Sequence, residues 1–241
     1  MTRSQTKSFI INNEKMLLDI NSGVFIPTAT TENLINSVKG FIKKPGITLD
    51  LGSGSGIVGI SLFSDGLIES KLHASDLSQN AVECIKKNCN RHGIPVDARQ
   101  GSLFEPWQAC KFDYIIDDIS GVSEKIAKVS PWFSNIPCVS GSDGIDLTVQ
   151  VLSQSKKYLN KNGYLFFPVI SLSNTYSVMK TARNIFNNVE LLKREEWPLP
   201  EDMYQHIDLL KGLKDDNRIH YEEKFGMIMW HTDIYEANNK L

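Results

Sequence analysis

The stretch ITLDLGSGSGIVGI runs from an apolar segment carrying Asp50 into glycines at Gly52, Gly54 and Gly56, and then into a helical pattern. Glycines at such a junction let the backbone bend sharply and approach a ligand with no side chain in the way. Asp50, at the end of the strand, is placed to offer a carboxylate to a cationic amine. Farther along, HASDLSQNAV puts Asp76 at the end of a second strand, followed by Leu77 and by Asn80 at the start of a helix. An acid there typically accepts hydrogen bonds from both hydroxyls of a ribose. A third piece, RQGSLFEPW, sets Ser102 and Leu103 after a third strand, a polar and an apolar group that can bracket a purine. Together these residues describe a grip for a nucleoside joined to an amino acid, with Ser53 inside the loop.

Gly54, Gly56 and Gly59 also spell GxGxxG, the dinucleotide fingerprint, and Asp76 stands at a distance suited to the ribose of NAD. In that motif the first glycine follows the strand almost at once. Here Asp50 and Gly52 intervene, a register that disfavours the dinucleotide and an oxidoreductase.

The elements that must hold these residues alternate. Short β-rich segments occur at 46–51, 71–75, 114–117, 164–169 and 225–235, with weaker ones near Val96 and Val189. Helical periodicity occupies 31–42, 57–63, 79–92, 145–159 and 176–186. Strand alternating with helix predicts an α/β fold, a mostly parallel Rossmann-like sheet with helices on both faces. The last strand, FGMIMWHTDIY, follows an irregular stretch from Trp197 to Lys224 rather than a crossover helix, which predicts that it enters antiparallel. One domain over residues 1–241 is expected, with an amino-terminal extension at 1–29 over the ligand site and an insertion or lid at 195–224.

Composition narrows the classes. With 26 basic and 28 acidic residues and a net charge of -2, the chain gives no electrostatic reason to expect a nucleic-acid partner. Cys84, Cys89, Cys110 and Cys138 form no CxxC pair, so neither a metal site nor a disulfide framework is expected. No apolar run approaches the ~20 residues that cross a bilayer, and the first residues lack a signal-like apolar core, so no membrane association and a cytoplasmic location are expected.

Read together, these pieces resemble class I methyltransferases, and more narrowly their HemK/PrmC branch, which methylates the glutamine amide of release factors. The resemblance covers Gly23 to about Val169 and includes GVFIPTATTENLI, the glycine loop, SDLSQNAVECIKKNCNRHGI, SLFEPW and SGSDGIDLTVQVLSQSKKYLNKNGYLFF. It implies S-adenosyl-L-methionine as cofactor and Phe25, Thr28 and Thr31 beside it. It also implies a seven-stranded sheet of order 3-2-1-4-5-7-6.

Two departures bear on the acceptor. The branch carries Asn-Pro-Pro-Tyr after its fourth strand, where this chain has Asp118, Ile119, Ser120 and Gly121. An ionised aspartate accepts hydrogen bonds but lacks the amide donor, and the stacking tyrosine is missing. Only some two dozen residues precede Val24, so no counterpart of the branch's helical partner-recognition domain is expected there. A small-molecule acceptor, amino-acid-like or a secondary metabolite, is therefore expected ahead of a protein glutamine or RNA acceptor or a non-catalytic cofactor-binding role.

Methyl transfer is an in-line displacement that needs alignment and exclusion of water rather than a metal. Asp118 is the first candidate to accept a proton and Ser120 the second, the alternative being that Asp118 caps a helix starting near Ser123. His206, His220 and His231 are weaker candidates for a base. Trp197, Pro198, Leu199, Pro200 and Met203 form a stiff apolar stretch that either lids a small-molecule pocket or packs on the sheet edge.

Overall fold

The computed structural model describes residues 4–11, 14–134 and 136–240. Residues 1–3, 12 and 13 of the expected amino-terminal extension, and residue 241 of the expected single domain, lie outside these.

The extension is not irregular. It forms an antiparallel hairpin, β1 (Ser4–Ile11) and β2 (Glu14–Asn21), as a separate two-stranded sheet. Helix α1 (Ala29–Phe41) follows, then β3 (Thr48–Leu51), α2 (Ile57–Ser64), β4 (Leu72–Asp76), α3 (Gln79–Arg91) and β5 (Val96–Gln100). The hairpin packs on α3. Asp19 is buried and meets Arg91 at 2.7 Å and Lys87 at 3.0 Å, while the Asn88 amide donates to its carbonyl. The Thr6 hydroxyl, Arg91 and Lys87 hold the Asp19 carboxyl well below the usual range.

Beyond β5 come β6 (Phe112–Asp117), the short α4 (Glu124–Ala127), α5 (Asp146–Tyr158), β7 (Leu159–Ile170), α6 (Thr175–Ile185) and β8 (Asn188–Pro198). The last elements are α7 (Ile207–Asp215), β9 (Glu222–Lys224) and β10 (Met227–Asn238). The main sheet has the order β5-β4-β3-β6-β7-β10-β8, with β9 paired to β10. Counting only the main path, that is the expected 3-2-1-4-5-7-6. The pairs β5-β4, β4-β3, β3-β6 and β6-β7 are parallel, and β10 runs antiparallel to both β7 and β8.

The stretch from Trp197 to Lys224 was expected to be irregular and is not. Trp197 and Pro198 complete β8, a 3-10 turn spans Glu201–His206, and α7 and β9 follow. Leu210 and Leu213, three apart on α7, are buried in a cluster with Leu199, Met203 and Trp230. Tertiary burial of so short an apolar stripe sustains a helix that its local pattern barely signals.

Register decides where the chemistry falls. Leu51 pairs with Ser75 on one side and with Asp117 on the other, so Gly52, Asp76 and Asp118 leave three adjacent strands at one level. Strand β3 is also where the sheet order reverses direction, and ligands of open α/β sheets bind outside the carboxyl ends of strands at such a point.

Candidate functional site

A cavity of about 620 Å³ opens at those strand ends. The glycine loop forms its floor. Gly52 and Gly54 take φ of +73° and +52°, in the left-handed region that bulky residues avoid. A Cβ at Gly52 would lie 2.5 Å from the Ile119 side chain, whereas one at Gly54 would project into open space. Both glycines line the cavity. The loop is tied to β4, because the Gly52 and Ser53 N–H groups donate to the Ser75 carbonyl at 2.9 and 3.0 Å.

Asp76 accepts from the Gly54 N–H at 2.9 Å and from the Ser78 N–H at 2.8 Å, and it lines the cavity with lone pairs to spare. Burial raises its pKa against those two donors. Leu77, Ser102 and Leu103 continue the same wall. Leu103 holds φ +48°, an uncommon conformation for a branched side chain and one that clusters where ligands bind.

Three other expected residues sit outside the lining. Asp50 is fully buried and faces α2, where its Oδ2 accepts from the Gly59 N–H at 3.0 Å while Oδ1 has no partner. A Cβ at Gly59 would lie 2.6 Å from the Leu72 methyls and 3.0 Å from Oδ2, so the glycine lets the helix sit close to both. Asp50 thus braces the helix behind the loop and does not line the cavity. Gly56, with φ +84°, caps the start of α2 against Ile85. The Asn80 amide donates to the Ser22 carbonyl at 3.4 Å, anchoring the chain that leads to Phe25.

Phe25, Thr28 and Thr31 form the roof above the loop. Thr31 donates its hydroxyl to Asp118 Oδ2 at 3.0 Å, which engages Asp118 with α1 and not with the helix near Ser123. Asp117 plays the local part instead, accepting from the Ile119 N–H at 3.0 Å. Asp118 keeps a face to the cavity while protein surrounds its carboxyl, and burial pushes its pKa up to about 7 despite the Thr31 donor. Burial also pushes Asp117 to about 7 and Asp50 to about 8, the latter helped by the nearby Asp118 and Asp76. Ser120 lines the cavity and contacts the Cys138 thiol at 3.1 Å.

Beyond Asp118 the lining changes character. Trp230 of β10 lies opposite Trp197 of β8 in register, with ring centroids 5.0 Å apart, and Trp132 packs against it at 5.2 Å. Phe133 packs on Phe25 at 5.2 Å and joins the two parts. Trp197, Pro198 and Pro200 face the cavity, while Leu199 and Met203 are buried beneath, so the stretch both walls the pocket and packs on the sheet. Trp132 and Trp230 escaped the sequence reading; a tryptophan in each of two antiparallel neighbours was the available signal. His206, His220 and His231 are not among the lining residues.

Among the described residues the cavity is lined by no lysine, arginine or histidine, and its charged groups are Asp76 and Asp118. Acids without counter-charge, a bare backbone at Gly54 and the partnerless buried hydroxyl of Ser53 fit a cationic ligand with a polar, hydroxyl-bearing part. No cluster of His, Cys, Asp or Glu among these residues is arranged to hold a metal, and no helix is long and apolar enough to cross a membrane.

A mostly parallel sheet of this order, closed by an antiparallel strand over a glycine loop and a ribose-type acid, is the class I methyltransferase fold. Residues 18–118 match the family described as "Methyltransferase small domain". The HemK/PrmC resemblance is borne out by curated relatives. The chain is 27% identical over 154 residues to the release factor glutamine methyltransferase of Geobacter sulfurreducens, covering 61% of this chain and 53% of that protein. It is 27% identical over 181 residues to the ribosomal protein uL3 glutamine methyltransferase of Francisella tularensis, covering 70% and 56%. The chain thus spans about half the length of the curated relatives it matches.

Among solved structures, a 16S rRNA methyltransferase of T. thermophilus in complex with AdoMet and guanosine superposes with TM-score 0.67 at 13% identity, over 100% of this chain and 52% of that one. The ribosomal protein L11 methylase of Lactobacillus delbrueckii subsp. bulgaricus gives 0.56 at 16%, over 91% and 84%. At these identities the likeness concerns the fold.

Proposed function

We propose that the chain is an S-adenosylmethionine-dependent methyltransferase. The observation that carries this reading is the level meeting of Gly52, Asp76 and Asp118 at the sheet's switch point, with no basic residue among the described lining. Asp76 would hold the ribose, Leu77, Ser102 and Leu103 the adenine, and the loop from Gly52 to Gly54 the amino-acid end, under Phe25, Thr28 and Thr31. When bound, the cofactor supplies an electrophilic methyl group on a sulfonium. Asp118 then sets a negative charge near the reacting centre and takes up a proton from the acceptor, with Ser120 orienting it.

The relatives' named substrates support a protein side chain, a glutamine amide first, or RNA over the small molecule expected from the sequence. A lining without cations supports a phosphate-free acceptor over RNA. A small-molecule acceptor stands as the second reading, favoured by the aromatic wall beyond Asp118. Incubating the protein with methyl-labelled S-adenosylmethionine and, separately, cell protein, RNA and a metabolite extract tests all three. Label absent from every fraction overturns the methyltransferase reading, and label confined to RNA overturns the phosphate-free acceptor.

A further inference from the structure

Three tryptophans converge on one end of the cavity from distant parts of the chain: Trp132 from a 3-10 turn, Trp197 from β8 and Trp230 from β10. Neighbouring centroids lie 5.0 and 5.2 Å apart with planes tilted by 42° and 56°, so the indoles form an angled wall rather than one stack. Phe25, Phe133 and Ile170 extend it. The Trp230 ring is 9% exposed and its Nε1–H is buried without a partner, an arrangement disfavoured unless the site offers compensation. A folding core has no need to gather three tryptophans at the wall of a cavity, and apolar concavities mark binding sites.

Charge restricts the occupant further. The chain has 26 lysines and arginines, yet none is among the described residues lining this cavity, while Asp118 stands where the two parts meet. A phosphate brought here would lose its hydration, gain no cation and face a carboxylate.

We propose that this aromatic end is the acceptor subsite, and that it takes a flat, phosphate-free aromatic or heteroaromatic ring, either a free molecule or the side chain of a protein. The inference rests on the methyltransferase reading and departs from the glutamine amide that the relatives' names support as acceptor. A ring is favoured over a bare amide because aromatic faces attract one another beyond the apolar area they bury.

The experiment is calorimetry on protein saturated with S-adenosylhomocysteine, using four kinds of probe. Quinolin-4-ol stands for a free ring, N-acetyltyrosinamide for a protein-borne ring and N-acetylglutaminamide for an amide without a ring. Guanosine is compared with guanosine 5′-monophosphate to isolate the phosphate. At least one ring probe is expected to bind tenfold or more tightly than the amide, and the tighter of the two identifies the source. Guanosine is expected to bind at least tenfold more tightly than its monophosphate. Trp197→Ala should weaken the ring probe tenfold and leave S-adenosylhomocysteine affinity within twofold. Should that variant not fold, Trp132→Ala, on a separate segment, takes its place. Amide binding equal to the rings, equal affinity for the two guanosines, or no probe binding overturns the inference. Failure of S-adenosylhomocysteine itself to bind counts against the methyltransferase reading, and the ring probes are then measured on the bare protein.

Discussion

The two ends of the cavity are built by opposite means. The glycine end is made of backbone: three strand termini brought level by parallel register, two left-handed glycines, and Asp76 tying a loop amide on either side of it. The aromatic end is made of side chains carried by an antiparallel pair and a short turn, resting on their own apolar cluster. Backbone geometry fixes a constant ligand and tolerates little change, whereas side chains on a late-entering hairpin can be exchanged while the sheet stays as it is. The family match ends at residue 118, at the boundary between the two. The family model therefore informs the first end far more than the second.

The largest effect that would sharpen this contrast is one of stability. Trp230→Ala deletes a ring that is 9% exposed and packed between two others, and a loss of about 3–5 kcal/mol is expected from urea unfolding. S-adenosylhomocysteine affinity in the folded fraction should stay within twofold. A large fall in that affinity breaks the division, because the two ends then act as one site.

Asp76→Ala is the converse. It strips the acceptor from the Gly54 and Ser78 N–H groups as well as from the ribose, and losing such charged hydrogen bonds costs about 2–3 kcal/mol. A roughly 100-fold loss of S-adenosylhomocysteine affinity is expected by calorimetry, with the melting temperature far less affected than in Trp230→Ala. Asp76→Asn, which keeps one acceptor oxygen, should fall between. A loss below threefold in both variants removes the nucleoside grip from this end.

This contrast also explains how much was readable beforehand. Asp76, Gly52, Gly54, Ser102 and Leu103 stand in fixed relation to strand ends, so local periodicity and the parallel rule place them together. The strand order was instead implied by the family resemblance, and the structure has it. Asp50 was expected at the ligand and lies outside the lining, because alternation along a strand buried on both faces does not say which face meets the cavity. The hairpin at Ser4–Asn21 was not identified, although its strands carry Phe9, Ile11, Met16 and Leu18 for burial against α3. Trp132, Trp197 and Trp230 meet only because β10 inserts between β7 and β8, a long-range arrangement that single-segment patterns do not encode.

Asp50 supplies a subtler test of the glycine end. Burial lifts its folded pKa to about 8, above the ordinary aspartate value of 3.8, so its contribution to stability is complete below about pH 4. That contribution is lost progressively as the pH rises to 8, where the unfolded carboxyl is ionised and the buried one resists. Asp50→Asn keeps an oxygen for the Gly59 N–H and carries no charge. Its stability relative to the parent should therefore rise between pH 5 and pH 8, by on the order of a few kcal/mol, read from urea midpoints at the two values. A difference that does not change with pH means that Asp50 ionises freely and braces nothing.

The smallest effect concerns the boundary residue. Asp118 faces the cavity with a pKa pushed up to about 7, so it gains a negative charge as the pH rises through that value. S-adenosylmethionine and S-adenosylhomocysteine share every group except the methyl and the sulfonium charge it creates, so their affinity ratio isolates the attraction between that charge and its surroundings. Ionisation of Asp118 should raise the ratio severalfold between about pH 6 and pH 8, since each 1.4 kcal/mol is tenfold and solvent in the cavity screens part of the attraction. In Asp118→Asn the ratio should be nearly flat, even though the amide can still accept from Thr31. A ratio equally steep in the variant assigns the charge to Asp76 and moves the reacting centre away from the junction of the two ends.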